Sequence, residues 1–245
     1  VVRMDNRDAG LSESFDAAGV PDLKAVASAR SAGTQPAVPY TLDDMADDVA
    51  ALLTHLGIER AHVVGSSMGG MIAQLLAIRH PTRVATLTSI MSTTGNPELP
   101  RATAQAQEAL TRPRPDPVRE REAYLDDNVL AAQIIGSPAY PVAVPVLRER
   151  IAADLDRAYR PEGFARQYAA ILAAPDRRPA LRTLDVPTLV IHGSDDPLVR
   201  IEAGRDTAAA VPGARLLEIP GMGHDLPEGV HAAVVDAIVG LGSTL

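Results

Sequence analysis

Cysteine and tryptophan are absent from this 245-residue sequence, and aromatic residues make up only 3% of it. A chain without cysteine forms no disulfide and offers no thiolate to a metal. No apolar run approaches the roughly 20 residues that cross a bilayer. The net charge is −8, and no Lys/Arg run offers the basic patch that a nucleic acid or an anionic membrane requires. We therefore expect a cytoplasmic protein with neither of those two partners.

The remaining composition is that of a globular domain, with 46% hydrophobic and 22% charged residues. Strand patterns at 84–90 and 186–192 are separated by about ninety residues in which only helical patterns recur. We predict a core of residues 1–93 and 181–245, and an all-helical cap over 94–180. Five of the seven aromatic residues fall in the cap, where they either line a lipophilic pocket or form the cap's own core: Tyr124, Tyr140, Tyr159, Phe164 and Tyr168.

One stretch organises the chain, Gly65-Ser66-Ser67-Met68-Gly69, which follows an apolar strand pattern and opens a helical pattern at 68–79. It fits the G-x-S-x-G turn that lifts a serine hydroxyl clear of the backbone. Glycines two before and two after Ser67 are expected to let strand and helix approach without a Cβ clash. The alternative interpretation is an ordinary Gly/Ser turn. We predict that Ser67 is a nucleophile at a helix N-terminus, where partial positive charge favours an anion.

A serine nucleophile needs a base, and the base needs an orienting acid. With this turn the order along the chain is serine, acid, histidine. His224 lies in a Gly-rich loop after the strand predicted at 215–219, whereas His231 falls inside the last helix. Asp195 and Asp196 both follow the strand at 186–192. We prefer Asp196, with Asp195 second, because Asp225 is too close in sequence to reach behind the ring of His224.

These choices assign Ser67 as nucleophile, His224 as general base and then acid, and Asp196 as the group that orients the imidazolium. The backbone N–H of Met68 is expected to supply one oxyanion-hole donor. His192-Gly193 is similar to an oxyanion turn, but it follows the strand of the acid and stands at the wrong place in the order. Nothing in the sequence implies a metal or an organic cofactor.

The N-terminal part is less regular. Residues 1–5 suggest a strand, residues 13–40 an irregular segment, and residues 41–56 a helix that begins after a capping box and ends at Gly57. Four acids near the start of that helix suggest either a metal site or, as we favour, a solvated N-terminal face: Asp43, Asp44, Asp47 and Asp48.

Three motifs together resemble the α/β-hydrolase fold family: residues 65–70, His192-Gly193-Ser194-Asp195-Asp196-Pro197, and Gly221-Met222-Gly223-His224. Residues 5–12 resemble that family's loop after its fourth strand. Residues 91–97 and the helical cap are most similar to its aclacinomycin methylesterase branch. The resemblance implies a mostly parallel sheet flanked by helices, with the cap inserted before the strand that bears the acid.

The family has three further strands before the loop that residues 5–12 resemble, and the third ends in a His-Gly turn that gives a second oxyanion donor. Neither feature occurs in this sequence, so we expect an N-terminally truncated piece of a longer hydrolase.

The resemblance implies a serine hydrolase that cleaves a small-molecule carboxylic ester, such as a methyl ester of a lipophilic or polyketide-like compound, through an acyl-enzyme. Other chemistries of the fold stay open, namely a cofactor-free haloperoxidase, a C–C hydrolase, a peptidase or an acyltransferase. A non-catalytic ligand-binding member and a fragment without a stable fold are further alternatives. The oligomeric state is open.

Overall fold

A computed structural model describes residues 1–243 of the chain. Within those residues the helices are α1 (Leu23–Ser31), α2 (Leu42–His55), α3 (Met68–Arg79), α4 (Ala104–Thr111), α5 (Arg121–Ile135), α6 (Val144–Arg157), α7 (Pro161–Ala173), α8 (Arg178–Leu181), α9 (Ile201–Ala210) and α10 (His231–Gly242). The strands are β1 (Ala61–Ser66), β2 (Val84–Ile90), β3 (Thr188–Gly193) and β4 (Arg215–Ile219).

The four strands form one parallel sheet in the order β1-β2-β3-β4. Every residue of β2 and β3 is buried, as expected for inner strands covered by helices on both faces. Parallel strands need crossover connections. Here α3 joins β1 to β2, and α9 joins β3 to β4, while β2 and β3 are joined by five helices with no intervening strand among the described residues. This confirms the predicted fold class.

The two faces of the sheet carry different chemistry, because successive strand residues point to opposite sides. Ile90, Ile191 and Ile219 belong to an apolar cluster that also contains Val234 of α10. On the opposite face, the neighbouring Ser89 accepts a hydrogen bond from Gln74 of α3 at 3.2 Å. One face of the sheet therefore packs against α10 through apolar side chains, while the face beneath α3, which begins after Ser67, contains polar side chains.

The chain forms two compact units, one of residues Val1–Ile58 with Ala153–Pro175 and the other of Glu59–Ala152 with Asp176–Leu245. The first unit contains α1, α2 and α7, and the second contains the whole sheet. The core and cap boundaries given above, 1–93 with 181–245 against 94–180, stay a prediction.

Two N-terminal predictions were wrong. Residues 1–5 form no strand, and the side chains of Val1 and Val2 are exposed. The segment predicted to be irregular contains α1, whose N-cap Asp22 accepts hydrogen bonds from two backbone N–H groups of the first turn. Only Val26 of α1 is buried, so the helix lacks the broad apolar stripe by which sequence patterns reveal a helix.

Two acids of α2, Asp44 and Asp48, have hydrogen-bond partners in the first unit. Thr41 and Asp44 form the predicted capping box, in which each side chain satisfies a backbone N–H of the other residue. Asp48 accepts two hydrogen bonds from the guanidinium of Arg7, both at 2.7 Å. Asp44 is exposed and Asp48 is half-buried, which is compatible with the solvated N-terminal face that we favoured.

A buried ion pair connects the N-terminal loop of the first unit to α7. Arg166 and Asp8 are both fully buried at their side chains, and two hydrogen bonds of 2.8 and 2.7 Å join them. The Asp8 carboxylate also accepts from the hydroxyl of Tyr40 at 2.7 Å and from the N–H of Phe15 at 2.8 Å. Asp8 has a φ of 65°, an uncommon conformation for a residue other than glycine. The network therefore holds a strained loop in place.

We predict that Arg166→Met lowers the free energy of unfolding by about 3–5 kcal/mol, because it leaves the Asp8 carboxylate buried without its cation. Urea unfolding followed by far-UV circular dichroism measures the change. Arg157→Met is the matched control, since Arg157 pairs with Asp5 at a much more exposed site. Equal, small losses in both variants would contradict the importance of the buried pair.

The same network predicts acid sensitivity. Burial raises the pKa of Asp8, but the hydrogen bonds from Arg166, Phe15 and Tyr40 outweigh it and lower that pKa from 3.8 to about 2. A carboxyl whose pKa is lowered by folding stabilises the fold above its unfolded pKa and loses that contribution as the pH falls toward the folded value. The free energy of unfolding, measured by urea titration at each pH, should therefore fall by about 2 kcal/mol between pH 4 and pH 2 from this group, and fall less in Asp8→Asn. The assignment would be contradicted if the free energy of unfolding of Asp8→Asn fell with pH as steeply as that of the wild type.

Candidate active site

Ser67 is held between the end of β1 and the start of α3 in a strained backbone conformation, with φ 52° and ψ −120°. Its N–H donates to the carbonyl of Ile90 at 2.9 Å, which extends the ladder between β1 and β2 by one bond. A serine at a helix N-cap ordinarily uses its hydroxyl to accept a helix N–H. The Ser67 hydroxyl makes no such bond. It is therefore available for another partner.

Glycine is required on both sides of Ser67, but on the helix side the required position differs from the one we predicted. A Cβ on Gly65 would lie 2.1 Å from the carbonyl oxygen of Gly69, so the strand and helix touch at this point. A Cβ on Gly70 would lie 2.6 Å from the Cβ of Ser92. A Cβ on Gly69 itself would meet nothing within 4 Å. The expectation that Gly69 avoids a clash was therefore wrong, and Gly70 has that role.

Ser92 supports the other end of the Ser67 peptide and was missed by sequence reasoning. Its buried hydroxyl donates to the carbonyl oxygen of Ser67 at 2.8 Å. Met91, just before it, has a φ of 41°, so the chain turns sharply at the end of β2. The one sequence signal was the position of Ser92 two residues after that strand, at the edge where the nucleophile was expected.

His224 lies between Ser67 and Asp196 in a chain of two hydrogen bonds. Its Nε2 is 2.9 Å from the Ser67 Oγ, and its Nδ1 is 2.7 Å from the Asp196 Oδ2. Because a carboxylate only accepts, Nδ1 carries the proton and Nε2 of the neutral ring accepts from the serine hydroxyl. The structure brings the three predicted residues together from positions 157 and 28 residues apart.

The carboxylate of Asp196 is oriented by the backbone that follows it. Its Oδ1 accepts from the N–H groups of Leu198 and Val199 at 2.9 and 2.8 Å, which leaves Oδ2 for the imidazole. Asp196 is 1% exposed. Asp195, the second choice from sequence, is exposed and accepts from the N–H of Gly221 instead.

A second histidine lies beside the acid. His192 is fully buried, and its Nε2 is 2.8 Å from the carbonyl of Val199 and 3.7 Å from the Asp196 carboxylate. Burial lowers the pKa of His192, although Val199 and Asp196 act in the opposite direction. A neutral ring that donates from Nε2 holds the turn of the acid. This position is compatible with our rejection of His192-Gly193 as an oxyanion turn.

Met68 is the first residue of α3, directly after Ser67, so its N–H is one of the backbone donors that a helix leaves unpaired at its N-terminus. In this arrangement His224 can accept the proton of the Ser67 hydroxyl, and an anion formed there would lie at the positive end of α3.

Within residues 1–243, no group of three or more His, Asp or Glu is arranged to hold a metal. None of the helices described is long and apolar enough to cross a membrane.

Comparison with known proteins gives consistent matches. The chain matches the alpha/beta hydrolase fold family over residues 20–228. Rhodomycin D methylesterase of Streptomyces sp. (strain C5) is 29% identical, over 97% of this chain and 79% of that protein. The 3-oxoadipate enol-lactonase 2 of Acinetobacter baylyi is 33% identical, over 71% of this chain and 61% of its own length. The solved enol-lactonase of Burkholderia xenovorans LB400 superposes with a TM-score of 0.66 at 25% identity, over 98% of this chain and 79% of the other.

The glycine geometry predicts opposite outcomes for two neighbouring substitutions. Gly65→Ala should destabilise the protein and slow any reaction of Ser67, because its Cβ collides with backbone atoms that cannot rotate away. Gly69→Ala should be neutral or stabilise by up to about 1 kcal/mol, since alanine is the better helix former. Thermal melts of the two variants test this pair. Equal destabilisation by both would contradict the structure of the turn.

Proposed function

We propose an ester-hydrolase function for this chain, which belongs to the α/β-hydrolase fold family, with Ser67, His224 and Asp196 as its catalytic triad. The observation that carries the proposal is the continuous hydrogen-bonded chain from the Ser67 hydroxyl through the imidazole to the buried carboxylate. Fold alone would not support a chemistry, because the same fold hosts many reactions. The geometry of these three groups is what favours acyl transfer.

In the proposed reaction, Ser67 Oγ attacks the carbonyl carbon of the ester while His224 Nε2 takes the hydroxyl proton. Asp196 Oδ2 holds the Nδ1–H and stabilises the imidazolium that forms. The tetrahedral intermediate collapses, His224 returns the proton to the leaving alcohol, and an acyl-enzyme remains on Ser67. A water molecule, deprotonated by His224, then releases the acid, so that ester and water become acid and alcohol.

The oxyanion that forms at the ester carbonyl needs donors that are already in place. We assign the N–H of Met68 as one of them, because it follows the nucleophile at the positive end of α3. The strained φ of Ser67 supports this role, since the same turn that lifts the hydroxyl fixes the direction of the next N–H.

For the substrate we infer a small-molecule carboxylic ester, and more narrowly a methyl ester of a lipophilic or polyketide-like compound. The support is the similarity to rhodomycin D methylesterase along nearly the whole chain. The cap predicted over residues 94–180 would then select the acyl group. A lactone is a cyclic ester, so the similarity to enol-lactonases is compatible with the same chemistry.

A fluorophosphonate probe, which modifies only an activated serine, tests the triad. We predict one adduct on Ser67, located by intact mass and peptide mapping, and none in Ser67→Ala. Asp196→Asn should slow the reaction about ten-thousandfold, because it removes the acceptor that fixes the imidazole tautomer. The matched control is Asp195→Asn, in which the labelling rate should fall by about tenfold or less. A cooperatively folded wild-type chain that forms no adduct would contradict the proposal.

A panel of substrates separates ester hydrolysis from the other chemistries of the fold, all of which would label with the same probe. Release of methanol from lipophilic methyl esters supports the proposal, while turnover confined to amides, C–C substrates or halide oxidation would replace it. A non-catalytic binder would hold such ligands equally well in wild type and Ser67→Ala, without turnover in either.

A further inference from the structure

The loop that carries His224 has backbone hydrogen bonds to a segment far away in sequence. We call residues 220–225 the histidine loop and residues 135–139, which begin with the last residue of α5, the α5 turn. Both belong to the unit that contains the sheet. The N–H of His224 donates to the carbonyl of Ile135 at 2.7 Å, and the N–H of Ala139 donates to the carbonyl of Gly221 at 3.1 Å. These two bonds join the loop to the turn at both ends.

Between those bonds lies a buried serine hydroxyl. Ser137 Oγ accepts from the N–H of Gly223 at 2.9 Å and donates to the carboxylate of Asp225. Ser137 is 4% exposed. A hydroxyl has one proton to donate and lone pairs to accept with. Here the direction of each bond is fixed, because Gly223 N–H can only donate and the carboxylate can only accept. The two residues that flank His224 are therefore tied to one side chain.

The loop and the turn also touch at their backbones. A Cβ on Gly223 would lie 2.2 Å from the carbonyl oxygen of Gly136. Side chains do not tolerate that distance from a backbone atom, so the approach depends on glycine at position 223. The histidine loop is thus held by hydrogen bonds and by close packing on the same side.

We propose that Ser137 and Asp225 are positioning residues, which act through the backbone of the histidine loop to aim the imidazole of His224 at Ser67. Neither is one of the three triad residues, and Asp225 was considered above only as the acid partner of His224 and rejected for that role. Proton transfer depends on the 2.9 Å separation between His224 Nε2 and Ser67 Oγ. A loop free to shift by about 1 Å would lengthen that separation and slow the transfer. This inference rests on the proposed function.

The test compares Ser137→Ala, Asp225→Asn and the double variant with wild type in p-nitrophenyl acetate hydrolysis and in the rate of fluorophosphonate labelling. We expect kcat and the labelling rate to fall about tenfold in Ser137→Ala, as for one lost aligning hydrogen bond, with KM changed less than about twofold. The double variant should lose no more than the larger single loss, because the two residues act as a unit. Ser243→Ala is the matched control, since it removes a hydroxyl that donates to a carbonyl at the end of α10.

Hydrogen exchange of peptides over residues 219–226 gives a readout that needs no reaction. The amides of Gly223 and His224 should exchange faster in Ser137→Ala, while those of β2 and β3 stay protected. The inference would be overturned by wild-type rates in a folded Ser137→Ala variant, by additive losses in the double variant, or by faster exchange throughout the sheet. If Ser137→Ala melts below the assay temperature, Asp225→Asn, which keeps the side-chain shape, decides by the same criteria. A wild-type chain that neither labels nor hydrolyses overturns the proposed function instead, and the exchange comparison still tests the loop contact.

Discussion

The strained peptide at Ser67 is the constraint on which the site depends. A positive φ at a residue other than glycine persists only when its surroundings hold it there. Two contacts do so, because the Ser67 N–H bonds to Ile90 and the Ser67 carbonyl accepts from Ser92. Both partners come from the end of β2. The neighbouring strand therefore fixes the backbone that carries the serine hydroxyl, and glycine at position 65 allows α3 to lie this close to β1.

The parallel sheet explains why residues so distant in sequence meet. Carboxyl ends of parallel strands lie along one edge, and Ser67, Asp196 and His224 each follow a strand that ends there. The inner strands supply rigidity, since every residue of β2 and β3 is buried. The loops beyond that edge supply chemistry, and each is tied down by its own hydrogen bonds. Val199 N–H orients the Asp196 carboxylate, and the bond from His224 N–H to Ile135 holds the loop of His224.

The fold class, the strand–turn–helix at Ser67 and the positions of most elements could be predicted from sequence, because periodicity and turn residues are local signals. Helix α3 lies where the pattern placed it, at 68–79, and so do β2 at 84–90 and β4 at 215–219. The contacts that complete the site could not be predicted. The roles of Ser92 and Ser137 depend on how segments that are distant in sequence approach each other. The need for glycine at position 70 rather than 69 has the same cause. A short helix such as α1, which buries one side chain, leaves no periodic trace.

Two buried aspartates show how the partners of a carboxylate decide what it can do. Asp8 has both oxygens occupied by Arg166, with Tyr40 and a backbone N–H added, and its pKa is lowered to about 2. With both oxygens taken by these partners, the Asp8 carboxylate has a structural role. Asp196 is just as buried, but backbone donors occupy one of its oxygens, and the other accepts from an imidazole that can itself gain a proton. The difference lies in the partner: a guanidinium stays charged throughout, whereas an imidazole can take up and release a proton, as a general base does.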